Sequence, residues 1–163
     1  MPIQAAHSSG STPYYLRAST FATDAQALTY QRVPFDTLIE DETAGKFALD
    51  VATVVGRITV AEDGVMRLRA NAIFVNADVV NGATVDLQIV KDPAGTPVTL
   101  DHASIELDDD AGPSLATLEV DAVFAVTAGD VIEVQAISTD TDVALFPYND
   151  LPSAQISAEW FAN

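Results

Sequence analysis

The sequence predicts an all-β chain, and three observations carry that prediction. No window of a dozen residues repeats its apolar positions every ~3.6 residues, so no amphipathic helix is expected. β-branched residues dominate the apolar runs, and their stiff side chains suit a pleated, half-buried surface. Turn signals built from Gly, Asp and Pro punctuate those runs at regular spacing, the pattern of a sandwich or barrel. About nine strands are expected on this pattern.

In chain order, residues 1–27 stand apart. They are rich in Ser, Thr, Ala and Pro and lack clear periodicity. They read as an extended N-terminal arm that becomes ordered only against a partner or a neighbouring subunit, with a disordered leader as the plain alternative. Tyr14 and Tyr15, followed by Leu16 and Arg17, are its candidate docking residues, because adjacent exposed aromatics without a partner are unusual. The folded domain is expected over residues 28–163. Residues 29–35 form its candidate first strand, although Pro34 suits only an edge or a strand end. Residues 36–45 read as an acidic loop, 46–49 as a short strand, and 54–60 as a strand entering the hairpin signal Asp63-Gly64.

Residues 65–76 alternate plainly. Met66, Leu68, Ala70, Ala72 and Phe74 fall on one face, and Arg67, Arg69 and Asn71 on the other. Ile73 and Val75 share the arginine face, so its far end is expected to be covered as well. Val85, Leu87 and Ile89 make the next stripe, ended by the breaker-rich run Lys91-Asp92-Pro93-Ala94-Gly95. Residues 98–107 continue as a strand before the loop Asp108-Asp109-Asp110-Ala111-Gly112-Pro113. Leu118, Val120, Ala122, Phe124 and Val126 make a further stripe, and Ala128-Gly129-Asp130 turns the chain into 131–137. Residues 139–153 read as a long polar loop, and Ile156, Ala158 and Trp160 anchor the last strand.

With 163 residues the chain fits one domain, able to bury roughly 70% of its unfolded surface. An apolar fraction of 48% argues against disorder of the chain as a whole. No apolar run approaches the ~20 residues of a membrane-spanning helix, so no membrane partner is expected. The first residues carry neither a basic nor an apolar region of the kind a secretory signal needs. The absence of cysteine excludes disulfides and thiolate metal sites and favours folding in a reducing cytoplasm. A net charge of −17, from 24 acidic and 7 basic residues, repels phosphate backbones and argues against a nucleic-acid partner.

Four stretches share an order with a known superfamily. The turn Gly64-Val65-Met66 enters a long central strand. Glu40–Phe47 is an acidic loop leading to Gly45-Lys46-Phe47. Ala128-Gly129-Asp130-Val131-Ile132-Glu133-Val134 supplies a Gly-Asp element, and residues 153–161 close on an aromatic strand. Together, over residues 28–161, they resemble the tumour necrosis factor and complement globular-head superfamily. Met66 replaces the usual aromatic, and the last strand lacks the superfamily's glycine. The resemblance implies a TNF-like jelly-roll β-sandwich that packs as a homotrimer through the outward face of its inner sheet. Ile73, Val75 and Phe161 are the candidate seam residues on that reading, and packing under loops of the same subunit is the plain alternative. Arg67 and Arg69 are candidates for the same interface, pairing with Glu119 or Asp121 across it or binding an anion on the axis. Pairing within one subunit is the plain alternative.

No catalytic constellation is visible. His7 and His102 lack a partner at metal-ligand spacing, and no nucleophile elbow, P-loop or dinucleotide fingerprint is present. The chain is therefore read as no enzyme and as needing no cofactor. Calcium is the one metal to weigh, because hard oxygen ligands cluster at Glu40-Asp41-Glu42, at Asp108, Asp109 and Asp110, and at Asp140 with Asp142. Solvated loop charge explains the same residues.

Two functions fit. The first is a virion structural protein of a tailed bacteriophage, a trimeric capsid decoration (cement) or head-fibre protein assembled in the host cytoplasm. Its arm would dock on the major capsid protein or another virion protein. The second is a soluble or cell-surface recognition module that binds glycan or protein through acidic loop tips. A receptor-binding tip on a phage tail lies between them.

Overall fold

The computed structural model describes residues 14–23, 29–76, 82–107 and 114–162. Twelve strands and no helix occur among them: β1 (Tyr14–Thr20), β2 (Gln31–Arg32), β3 (Thr37–Glu42), β4 (Phe47–Asp50), β5 (Arg57–Val60), β6 (Gly64–Asn76), β7 (Ala83–Lys91), β8 (Val98–Leu107), β9 (Ser114–Val126), β10 (Val131–Ser138), β11 (Val143–Leu145) and β12 (Ala154–Phe161). They form two six-stranded antiparallel sheets. In the first, the order is β9-β6-β12-β1-β3, and β11 takes over from β12 beside the far end of β6. In the second, the order is β4-β5-β10-β7-β8, with β2 paired to β10 beyond the end of β5.

The alternation in β6 is the reason its inner residues face the second sheet. Met66, Leu68, Ala70, Ala72 and Phe74 are buried, while Arg67, Arg69 and Asn71 point outward. Leu16, Phe35, Phe47, Leu87, Ile89, Ile132 and Leu145 complete the same core from both sheets. Each such side chain, removed fully from water, contributes about 1.5–3 kcal/mol before entropy is counted. The all-β sandwich expected from the turn spacing is observed.

Several expected boundaries move. Residues 14–20 are an interior strand, paired to β12 on one edge and β3 on the other. Leu16, Ala18 and Thr20 alternate inward, and that apolar stripe draws this part of the expected arm into the sheet. The expected acidic loop at 36–45 contains β3, whose exposed charges are those of an edge strand that resists pairing with other chains. Only Gln31–Arg32 of the expected first strand is regular, because Pro34 has no N–H to donate. Residues 51–56 are not strand. The Asp50 carboxylate gathers the N–H groups of Ala52, Thr53 and Val54 there, and those bonds hold its pKa below the ordinary carboxylate value. The expected polar loop at 139–153 contains β11, with Val143 and Leu145 fully buried.

Asp63-Gly64 is not a hairpin. β5 lies in the second sheet and β6 in the first, so this connection crosses the sandwich. Gly64 keeps a negative-φ backbone and is needed for another reason: a Cβ there would meet the Trp160 indole. Ala128-Gly129-Asp130 does turn the chain. Gly129 takes φ 95, and Asp130 accepts bonds from Thr127 N at 2.7 Å and Thr127 Oγ1 at 2.9 Å. Burial raises the Asp130 pKa, but its bonds with Lys91 and Thr127 outweigh that and leave it lowered.

Candidate interaction face

The outward face of the first sheet is the place where functional residues expected from the sequence converge. Register sets its rows. Arg17, Ser157, Arg69 and Asp121 lie side by side across β1, β12, β6 and β9. The next row runs Tyr15, Glu159, Arg67, Val123, and the row on the other side runs Ser19, Gln155, Asn71, Glu119.

Asp121 is the hub of this face. It accepts Arg67 Nε at 3.2 Å and Nη2 at 2.8 Å through its two oxygens, and Arg69 Nε at 2.8 Å. The Arg67 bond, then that of Arg69, holds its pKa down at about 2. The same carboxylate raises the pKa of Arg67. The strand backbone helps, since Asp121 N donates to Asp101 Oδ2 at 2.8 Å from β8. Both arginines thus find Asp121 within their own subunit, as the plain alternative anticipated, and Glu119 takes neither.

Apolar residues flank these charged rows. Toward one end lie Val65, Ala125 and Phe161 beside Val123, which is 66% exposed. Toward the other lie Val75, Leu115 and Phe146. Ile73, one of the candidate seam residues, is already covered by its own subunit. Its N–H reaches Ser153 O at 2.8 Å and its carbonyl accepts Phe146 N at 3.0 Å. Val75 and Phe161 are part-exposed and remain on the face.

The four candidate docking residues separate. Leu16 is 1% exposed and belongs to the core, so it is unavailable to a partner. Tyr14 stacks at a tilt on Trp160, centroids 5.7 Å apart, with the Lys46 ammonium 5.6 Å from its ring. Tyr15 and Arg17 point outward onto the face just described, and Arg17 Nη1 approaches Glu40 Oε2 at 3.4 Å. Those four residues are therefore sheet residues.

All seven basic side chains are held in ion pairs: Arg17 with Glu40, Arg32 and Arg57 with Glu133, Lys46 with Glu62, Arg67 and Arg69 with Asp121, and Lys91 with Asp130. Sequence reasoning missed the Glu133 clasp. That carboxylate sits on the outward side of β10 yet is 4% exposed, under Arg32 at 2.7 Å and Arg57 at 2.9 Å, with Gln135 on its other oxygen at 3.0 Å. Burial pushes its pKa up, and the Gln135, Arg32 and Arg57 bonds more than reverse the shift. An acid in mid-strand was the available signal.

Asp108, Asp109 and Asp110 lie outside the described residues, as does His7. Elsewhere the acidic clusters have local duties. Asp41 accepts Thr43 Oγ1 at 2.8 Å, and Asp140 accepts Asp142 N at 2.9 Å. Among the described residues no group of three or more His, Asp or Glu is placed to hold a metal ion. His102 Nε2 stands 3.9 Å from Asp86 Oδ1, beyond hydrogen-bond range.

No protein-family model matches the chain, and no curated protein matches it in sequence. Solved structures do match in fold. The crystal structure of murine APRIL at pH 5.0 aligns with a TM-score of 0.65 and 15% identity, over 91% of this chain and 99% of that one. Murine APRIL at pH 8.0 aligns at 0.66 and 14%, over 92% and 100%. At that identity the likeness is one of fold, and the sandwich is a TNF-like jelly roll.

Proposed function

We propose that this chain is a non-catalytic, homotrimeric structural protein of a virion, a capsid decoration (cement) or head-fibre protein of a tailed bacteriophage. The observation that carries the reading is the outward face of the first sheet. Three of the seven basic residues gather there between two apolar margins, on a molecule of net charge −17. Copies that repel one another elsewhere meet with least repulsion on that face. Arg67, Arg69, Val75 and Phe161 belong to this seam, with Ile73 supporting it from beneath. Trimers match the quasi-three-fold positions of an icosahedral shell, where three weak contacts act together. The N-terminal arm is the expected attachment to the major capsid protein; within it Leu16 is committed to the core and takes no part.

The likeness in fold to murine APRIL favours a second reading, a recognition module that binds protein or glycan. Mass spectrometry of density-gradient-purified particles from the source lysate separates the two. A trimer for every few shell subunits is the expected result. A handful of copies per particle points to a fibre, and absence from particles overturns the virion reading in favour of recognition.

A further inference from the structure

We infer that the depression between Arg17 and Arg69 is a socket for a carboxylate of a neighbouring copy of this chain. The inference rests on the seam reading above and adds the contact that sets its register. Arg17, Ser157 and Arg69 are lateral neighbours on β1, β12 and β6. Ladder spacing puts the two arginine Cα atoms about 10 Å apart. Because Ser157 is short, a depression of about 160 Å³ opens between the guanidinium groups, with Asn71, Gln155 and Glu119 beside it and Ile39 along one wall.

Its two guanidinium groups keep donors to spare, and the Glu119 carboxylate beside it takes none of them. Arg69 donates only its Nε to Asp121, and Arg17 reaches Glu40 only through Nη1 at 3.4 Å. The side chains of Asn71, Gln155 and Ser157 make no hydrogen bond among the described residues. Both arginine side chains are about half exposed, at 53% and 50%. If a partner covered this spot without acceptors, those donors would lose water and gain nothing. A carboxylate, which only accepts, completes them, and its charge-assisted bonds to guanidinium groups are roughly twice as strong as bonds between neutral groups.

The occupant follows from the charge balance. The chain holds 24 acids against 7 bases, and all seven bases are already engaged within the subunit. What a second copy presents is therefore acid. Arg67 is not part of the socket, because two of its nitrogens already grip Asp121.

Sedimentation equilibrium of the full chain at low and high salt tests this. Replacing Arg17→Ala together with Arg69→Ala is expected to weaken association by about tenfold or more and to make added salt strengthen it, because what is then left to screen is repulsion between copies. Arg17→Lys with Arg69→Lys is expected to recover part of the loss, and circular dichroism checks that each variant is folded. If the alanine pair does not fold, the lysine pair still decides, through a weakened, salt-sensitive association. An assembly equally tight in wild type and variants overturns the socket and leaves the seam standing. A wild-type chain that stays monomeric overturns both. Acetate binding lost with the arginines, in an assembly indifferent to them, also overturns the proposal by making this a free-ligand site.

Discussion

Gly64 lies beneath the indole of Trp160 so closely that a Cβ at residue 64 would stand 2.5 Å from Trp160 Cε2 and 2.6 Å from the Phe161 carbonyl oxygen. The indole cannot easily retreat. It packs on Tyr14, carries the Lys46 ammonium 5.4 Å from its ring, and directs Nε1 to Glu62 O at 3.4 Å. Lys46 is itself tied to Glu62 at 2.6 Å, so Gly64, Trp160, Tyr14, Lys46 and Glu62 form one packed end of the sandwich.

Gly64→Ala is therefore expected to cost about 1–3 kcal/mol, the usual penalty for forcing a methyl group into filled space. Trp160→Leu should relieve part of that cost but not all, because the Phe161 carbonyl stays in place. A double-mutant cycle by urea unfolding measures both points. Additive effects at the two positions would contradict the close contact.

Gly64 also shows what the sequence could and could not disclose. Asp63-Gly64 has the composition of a hairpin turn, and local pattern reads it that way. The true demand comes from Trp160, which reaches Gly64 only through the register of β12 on β6. Met66 to Phe74 were legible because a two-residue period survives in the sequence itself. Tyr14–Thr20 carries the same period, but its Ser and Thr disguise it, and an interior strand is recognised by neighbours that local pattern does not reveal. Thr37–Glu42 has an exposed edge and so lacks a buried stripe to announce it. The arginine row was half visible: Arg67 and Arg69 share a face by alternation, while the arrival of Arg17 and Asp121 in that row depends on pairing between distant strands.

Glu133 makes a sharper case for stability. Its carboxylate is buried beneath Arg32 and Arg57, while their side chains are 28% and 33% exposed. Glu133→Gln keeps the shape and removes the charge. The loss is expected at roughly 2 kcal/mol, in the range for hydrogen bonds to charged groups. It falls short of a fully buried pair because water still reaches both guanidinium groups. Arg32 also donates Nε to Val55 O at 2.6 Å, so the 51–56 turn should loosen in the variant. Hydrogen exchange at those amides, read beside the urea midpoint, checks the link.

Acid stability has two opposed parts. Lowering pH first neutralises part of the surplus of 24 acids over 7 bases, which relieves self-repulsion and stabilises the fold. The paired carboxylates act in the other direction. Asp121 ordinarily titrates near 3.8 and is held at about 2 in the folded chain. A depressed folded pKa gives stability that is complete above the unfolded value and is lost as pH falls through the folded one. Its contribution should therefore fade between about pH 4 and about pH 2. Asp121→Asn is expected to flatten that limb of the unfolding profile and leave the shape near neutrality unchanged. Added salt should shrink the difference, because the Asp121 pairs are partly exposed. An unchanged acid limb in the variant would remove Asp121 from the account.

The apolar margin of the face supplies the last prediction. Val123 is 66% exposed in the single chain, beside Arg67 in the register and one row from Ala125. In an isolated subunit, Val123→Asn should change stability by no more than about 0.5 kcal/mol, as surface substitutions do. Inside a seam the same change places a carboxamide where an apolar side chain was buried, at roughly 1–2 kcal/mol for each copy. Three copies share a closed ring, so the trimer pays three times what each contact loses. Association should weaken by more than about tenfold while the unfolding midpoint of the dilute chain barely moves. Sedimentation equilibrium and urea unfolding on the same samples read these two quantities separately. Equal association in Val123→Asn and wild type would shift the seam away from the Val123 end of β9, toward the exposed Phe146 and Leu115 at the opposite margin.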